Sequence, residues 1–141
     1  SIPITDPRMT RFWITLNQSV KFVVSSLELM KGAEIFVPKI PSMKITDLAK
    51  YMAPNLDTIV VGIRPGEKLH EVMITEDDSR TTIEAGDRYI IQPAFNEWAS
   101  NEGVWTNAKS VPDNFRYASN TNTEWLDSDG FKEMIKNTTE R

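Results

Sequence analysis

The tetrapeptide Arg64-Pro65-Gly66-Glu67 concentrates more recognisable chemistry than any other stretch of the sequence. A guanidinium presents a planar fork of N–H donors that matches a phosphate or diphosphate. A carboxylate three residues later can accept hydrogen bonds from a vicinal diol such as a ribose. Pro65 fixes φ and Gly66 supplies a left-handed option, so the chain must turn here and can aim both side chains the same way. The pair suits a nucleoside diphosphate. Taken alone, the same four residues also describe an exposed loop ion pair, which is common and weak. Arg11, in Arg8-Met9-Thr10-Arg11-Phe12-Trp13, adds a second phosphate contact if its head enters a cleft, and otherwise faces solvent on a strand edge.

Other candidate groups carry less. The single histidine, in Leu69-His70-Glu71, has Ile74 where a zinc-protease helix would need a second His, so His70 is given a structural, hydrogen-bonding role. Glu76-Asp77-Asp78 lacks the alternating ligands and central glycine of a calcium loop and reads as a solvated turn. Ser and Thr are plentiful, but with one His and no Gly-x-Ser-x-Gly elbow a hydrolase triad has little support. No catalytic, cofactor-binding or metal-ligating residue is assigned. Residues 94 to 126 hold Trp98, Trp105, Trp125 and six Asn. The stretch is expected to wrap the surface with its rings as anchors, in preference to stacking sugars as a lectin would.

The 141 residues fit one domain of ordinary size. Sixteen Lys+Arg against 20 Asp+Glu give a net charge of −4, and without a basic block nucleic acid is an unsuitable partner. The absence of Cys excludes disulfides, thiolate nucleophiles and cysteine zinc sites, and suits a reducing compartment. The longest apolar runs fall far short of the roughly 20 residues a spanning helix needs, and Ile2 to Pro7 has no signal-peptide character. A cytoplasmic globular protein is expected.

These groups need elements to hold them. Phe12-Trp13-Ile14 reads as a short strand, and Leu16, Val20, Val23, Val24, Leu27 and Met30 recur near the 3.6 spacing of an amphipathic helix over about 16 to 30. Glu34 to Val37 reads as a buried strand, and 45 to 52 as a helix capped by Thr46 or Asp47. The strongest strand signal is Asp57 to Ile63, almost purely β-branched, which delivers the Arg64 turn from a rigid support. Leu69 to Ile74 is compatible with a short helix. Thr81 to Ile83 and Tyr89 to Gln92 are strands joined through Glu84-Ala85-Gly86-Asp87. Asp127 or Ser128 caps a last helix across Phe131, Met134 and Ile135. The core is expected mainly from residues 9 to 93, and the order of elements indicates an α/β to mixed α+β fold.

Three longer runs carry a resemblance. Pro3-Ile4-Thr5-Asp6-Pro7-Arg8-Met9-Thr10-Arg11-Phe12-Trp13-Ile14, Gly32-Ala33-Glu34-Ile35-Phe36-Val37-Pro38-Lys39-Ile40-Pro41-Ser42-Met43 and Gly62-Ile63-Arg64-Pro65-Gly66-Glu67-Lys68-Leu69-His70-Glu71 resemble inverting UDP-N-acetylglucosamine 4,6-dehydratases of pseudaminic acid synthesis. These are extended short-chain dehydrogenases, related to the capsular polysaccharide dehydratases. Tyr117-Ala118-Ser119-Asn120, with Asn122 and Trp125-Leu126, looks like the family's C-terminal ending.

The resemblance implies that Arg64 contacts the UDP diphosphate, Glu67 takes the uridine ribose hydroxyls, Thr5 lies against the nucleotide and Arg11 adds a phosphate contact. It also implies NADP chemistry in the intact enzyme: oxidation at sugar C4, loss of water across C5 and C6, and hydride return to C6 with inversion at C5. The family's glycine-rich dinucleotide turn is missing here. So is its Tyr-x-x-x-Lys pair, since Tyr51, Tyr89 and Tyr117 are followed four places on by Asn55, Pro93 and Thr121. Residues 1–141 are therefore expected to form a single C-terminal, substrate-binding portion of an extended Rossmann-type enzyme. The dinucleotide-binding half that holds NADP would be absent, and this chain alone would be inactive. The intact enzyme is implied to be a homo-oligomer acting on a UDP-sugar, without a nucleic-acid or membrane partner. The alternative is a stand-alone UDP-sugar binding or regulatory module without catalysis.

Overall fold

The computed structural model describes residues 1–94, 105 and 107–139. In chain order the elements are β1 (Ile2–Ile4), β2 (Thr10–Phe12), α1 (Leu16–Leu29), β3 (Ile35–Pro38), β4 (Ser42–Lys44), α2 (Ile45–Met52), β5 (Thr58–Val60), β6 (Val72–Ile74), a 3-10 turn (Asp78–Thr81), β7 (Thr82–Ala85), β8 (Arg88–Ile91), β9 (Lys109–Ser110), β10 (Tyr117–Ala118) and, last, α3 (Ser128–Thr139). This mixed α/β chain divides into two compact units, each assembled from separate stretches. The first comprises Ser1–Leu16, Ile40–Glu71 and Ala118–Arg141, and the second Asn17–Lys39 and Val72–Tyr117.

In the first unit β1 runs parallel to β5, with Ile2 opposite Thr58 and Ile4 opposite Val60. Antiparallel β2 and β4 place Arg11 opposite Met43. Helix α2 follows β4 without a loop. Its cap position is Lys44, which makes no side-chain capping bond, so neither Thr46 nor Asp47 serves as expected. The Ile45 amide instead donates to Met9 O at 3.0 Å, a tertiary contact replacing a local cap. Asp127 does cap α3, accepting from the Gly130 amide at 2.8 Å. The core holds Ile4, Met9, Met43, Ala49, Ala118 and Phe131. Phe131 takes Trp13 edge-on at 6.0 Å and Tyr51 at 5.9 Å, so the core draws on residues well beyond position 93.

The second unit centres on an antiparallel sheet in the order β3-β8-β7-β9. Gly86 at φ +61° begins the two-residue connection between β7 and β8, because Ala85 pairs with Arg88. Val37, Ile74, Ile90, Val111 and Tyr117 are buried, and Tyr89 stacks obliquely with Phe115 and Tyr117. Ile35 is exposed, so β3 is half-buried, not fully buried as its apolar run implies.

Helix α1 has the expected span but an unexpected orientation. Val20, Val23, Val24 and Leu27 are exposed, whereas its inward group is Ser26. The reason is Arg88, a buried cation that donates to Ser26 Oγ at 3.1 Å and Ser25 Oγ at 2.9 Å. Its guanidinium carbon also lies 4.7 Å from the Phe22 ring centroid, and its charge is met by Asp87 at 2.8 Å. A buried charge must be paired and hydrogen-bonded, and that demand turns the polar side of α1 inward.

Leu69 to Ile74 is not a helix. The Glu71 carbonyl accepts from the Ser119 amide at 2.9 Å, and Val72–Ile74 forms β6. Tertiary hydrogen bonding and two β-branched residues override a marginal helical pattern.

Ile90, 0% exposed on the inner strand β8, should be costly to truncate: Ile90→Ala is expected to lower stability by about 2–5 kcal/mol in urea denaturation. Val24→Ala, on the 51% exposed side of α1, should change it by less than about 0.5 kcal/mol. Equal losses would contradict the observed orientation of α1.

Candidate functional site

Parallel pairing brings two loops to one end of the first unit. The Ile4 carbonyl accepts from the Val61 amide at 2.9 Å, extending the β1–β5 register by one residue. Thr5 therefore leaves β1 beside the point where Val61-Gly62-Ile63-Arg64 leaves β5. Both loops emerge from the carboxyl ends of their strands, the side on which parallel sheets usually present ligand-binding groups. Gly62 and Gly66 have φ of +89° and +85°, conformations other residues adopt only with strain.

Arg64 to Glu67 forms a closed turn. The Glu67 amide donates to Arg64 O at 3.1 Å, and Pro65 followed by left-handed Gly66 is the pairing a type II turn demands. The Glu67 carboxylate accepts from the Arg64 amide at 3.0 Å, and its other oxygen lies 3.9 Å from Arg64 Nε. The two side chains thus converge. The guanidinium is 79% exposed, so this ion pair is a loose one at the surface, and the arginine is accessible to an anion.

Arg11 is differently employed. Its Nη1 donates to Thr10 O (2.7 Å) and Leu69 O (3.1 Å), and its Nη2 donates to Lys68 O (2.9 Å) and Met9 Sδ (3.2 Å). Its Nε lies 3.5 Å from a Glu71 carboxylate oxygen. A phosphate could bind here only by displacing one of these partners.

Next to Arg11, Thr10 Oγ1 lies 2.8 Å from His70 Nδ1 and 2.7 Å from the buried Ser119 hydroxyl. Ser119 Oγ accepts from the Glu71 amide at 2.9 Å and donates to Thr10 O at 3.2 Å. His70 thus makes a hydrogen bond, as its context indicates. The contribution of Ser119 has no local signal, because its partner Thr10 is 109 positions away. Asn122 acts similarly, donating to Ile40 O at 2.8 Å and Ser42 Oγ at 3.0 Å. The expected aromatic anchors fare unequally. Trp105 meets Phe36 edge-on at 5.9 Å, Trp125 is exposed, and Trp98 lies outside the described residues.

Beside Thr5, Arg8 donates to the Asp6 carboxylate through Nε (3.0 Å), Nη2 (2.8 Å) and its own amide (2.9 Å). These side-chain bonds, foremost, hold the Asp6 carboxyl down at about 2. Among the described residues, no group of three or more His, Asp or Glu is arranged to hold a metal ion. None of the described helices is long and apolar enough to cross a membrane.

Comparison with known proteins adds the following. A family profile described as a polysaccharide biosynthesis protein matches residues 1–93. An inverting UDP-N-acetylglucosamine 4,6-dehydratase of Campylobacter jejuni is 49% identical over 143 aligned positions, covering 97% of this chain and 42% of the relative. A UDP-glucose 4-epimerase of Rickettsia canadensis is 34% identical over 94 positions, covering 64% of this chain and 28% of that protein. The X-ray structure of Pen from Bacillus thuringiensis matches with a TM-score of 0.76 at 29% identity, covering 96% of this chain and 41% of that one. The chain thus spans less than half the length of each.

The Asp6–Arg8 pairing makes a pH-dependent contribution of definite sign. A depressed carboxyl stabilises the fold above its unfolded value, about 3.9, and this contribution disappears as pH falls through about 2. In Arg8→Ala the Asp6 carboxyl, followed by carbon NMR, should titrate above about 2 but still below the ordinary aspartate value, because the residue 8 amide continues to donate to it. A midpoint still near 2 in that variant would show that the Arg8 side chain is not the cause.

Proposed function

Because the chain belongs to the polysaccharide biosynthesis protein family, we propose that it is the UDP-sugar-gripping portion of a nucleotide-sugar 4,6-dehydratase. The substrate of the intact enzyme is UDP-N-acetylglucosamine, and dehydration proceeds with inversion at C5. The observation that carries this reading is the convergence of Arg64 and Glu67 on one glycine turn at the carboxyl end of β5, beside Thr5. Arg64 takes the diphosphate, Glu67 the ribose hydroxyls, and Thr5 lies against the nucleotide.

The relatives' names support the UDP part of this assignment. One is called a 4,6-dehydratase and the other a 4-epimerase, so the named reactions differ while a UDP-hexose is common to both. A stretch of this chain that aligns with each is best matched to the shared chemistry.

Among the described residues, no strand-to-helix passage fits the pyrophosphate of NADP. A dinucleotide pyrophosphate needs a glycine-rich passage from strand to helix, where backbone can approach closely. In this chain β2 passes to α1 through Trp13-Ile14-Thr15, and β4 enters α2 with no intervening residue. The proposed division of labour therefore leaves NADP, its hydride chemistry and the pseudaminic-acid branch of metabolism to the intact enzyme. The proposed setting is cytoplasmic, in keeping with a sequence that has no Cys to oxidise.

Titrating the 141-residue chain with UDP to about 10 mM, enough to reveal millimolar binding, should shift the amide resonances of Thr5, residues 61–64, Gly66 and Glu67. Arg64→Ala should weaken UDP binding by roughly 10–100-fold and UMP binding much less, the loss expected for a charge-assisted contact to the second phosphate. No shifts in that stretch, or equal UDP affinity in Arg64→Ala, would overturn the assignment.

A further inference from the structure

We infer that Arg11 is a positioning residue: its guanidinium braces the backbone of Lys68 and Leu69, and so fixes where the Arg64–Glu67 turn stands. The inference rests on the reading of that turn as a nucleotide grip.

Six residues, Gly62 to Glu67, lie between two fixed points. On the amino side the Val61 amide is tied to Ile4 O. Within the stretch, the hydrogen bonds between Arg64 and Glu67 are internal to the turn and do not attach it to the rest of the unit. The carboxyl-side attachment falls to Arg11, which bonds two consecutive carbonyls, Lys68 O at 2.9 Å and Leu69 O at 3.1 Å. Leu69 O also accepts from the Thr10 amide at 3.0 Å, so the brace leans on the strand that carries Arg11. Glu71 completes it, with its carboxylate 3.5 Å from Arg11 Nε and its amide on Ser119 Oγ.

The residue type matters. A planar fork can satisfy two adjacent carbonyls, Thr10 O and a carboxylate in one orientation, whereas a lysine ammonium is a point charge on a flexible stem. If Arg11 served as a phosphate contact through its charge, lysine would retain much of the function. As a brace it has no such substitute.

This difference gives the test. Amide hydrogen exchange and UDP titration are compared in the 141-residue chain and its Arg11→Lys variant. Exchange at the Glu67 and Thr10 amides, bonded to Arg64 O and Leu69 O, should accelerate about tenfold, the loss of roughly one net hydrogen bond, while Ile83 and Ile90 amides keep their rates. UDP affinity should fall although the charge is kept. Wild-type exchange in Arg11→Lys overturns the brace, whatever UDP affinity does. Loosening with unchanged UDP affinity overturns the positioning role. If the unsubstituted chain binds no UDP but Arg11→Lys still loosens the turn, the brace stands and the nucleotide reading alone fails. Should Arg11→Lys not fold, Glu71→Gln removes only the ion pair: faster exchange at the Thr10 and Glu67 amides supports the brace, and unchanged exchange there overturns it.

Discussion

The hydrogen bond from the Val61 amide to the Ile4 carbonyl closes a parallel pairing between strands more than fifty residues apart in sequence. Parallel pairing fixes direction as well as proximity. It requires the loop after Ile4 and the loop after Val60 to leave from the same end, which puts Thr5 beside the base of the Arg64–Glu67 turn. In an antiparallel arrangement of the same strands, Thr5 and the turn would lie at opposite ends. The candidate site thus depends on strand direction before it depends on any charge.

The charges then operate at different depths. Arg64 is an exposed guanidinium facing a partly covered carboxylate at 3.9 Å, a contact too loose to stabilise the fold appreciably. Such a group is available to an incoming anion. Arg11 has its N–H groups directed at carbonyls, a thioether and Glu71, and supports the chain instead of reaching outward. Arg88, in the other unit, is buried, and its need for partners decides which side of α1 faces inward. These three arginines look alike in the sequence, yet one is exposed, one is bonded to backbone carbonyls and one is buried.

Local pattern carried much of this architecture. The α1 span, the 45–52 helix, the β7–β8 hairpin and the turn at Pro65-Gly66 follow from periodicity and from the φ preferences of Pro and Gly. The tetrapeptide that carries the candidate grip was legible for the same reason, since both side chains sit on one turn. Long-range partners were not legible. Ser119 and Asn122 look like ordinary loop residues, yet they hold Thr10, Ile40 and Ser42 through bonds spanning 80 or more positions. The orientation of α1 was hidden because an apolar stripe ordinarily points inward, and the buried Arg88 reverses that rule. The segment 69–74 misled because helix and strand are nearly balanced there, and its tertiary hydrogen bonds decide the outcome.

What remains is whether one nucleotide joins the groups that strand direction brings together. A crystal structure of the chain with UDP answers this most directly. The Arg64 guanidinium should lie within hydrogen-bonding distance of the diphosphate and the Glu67 carboxylate within reach of the ribose hydroxyls, with Arg11 still on Lys68 O and Leu69 O. UDP bound elsewhere, or bound with Arg64 and Glu67 on opposite sides of it and out of contact, would contradict the proposed grip.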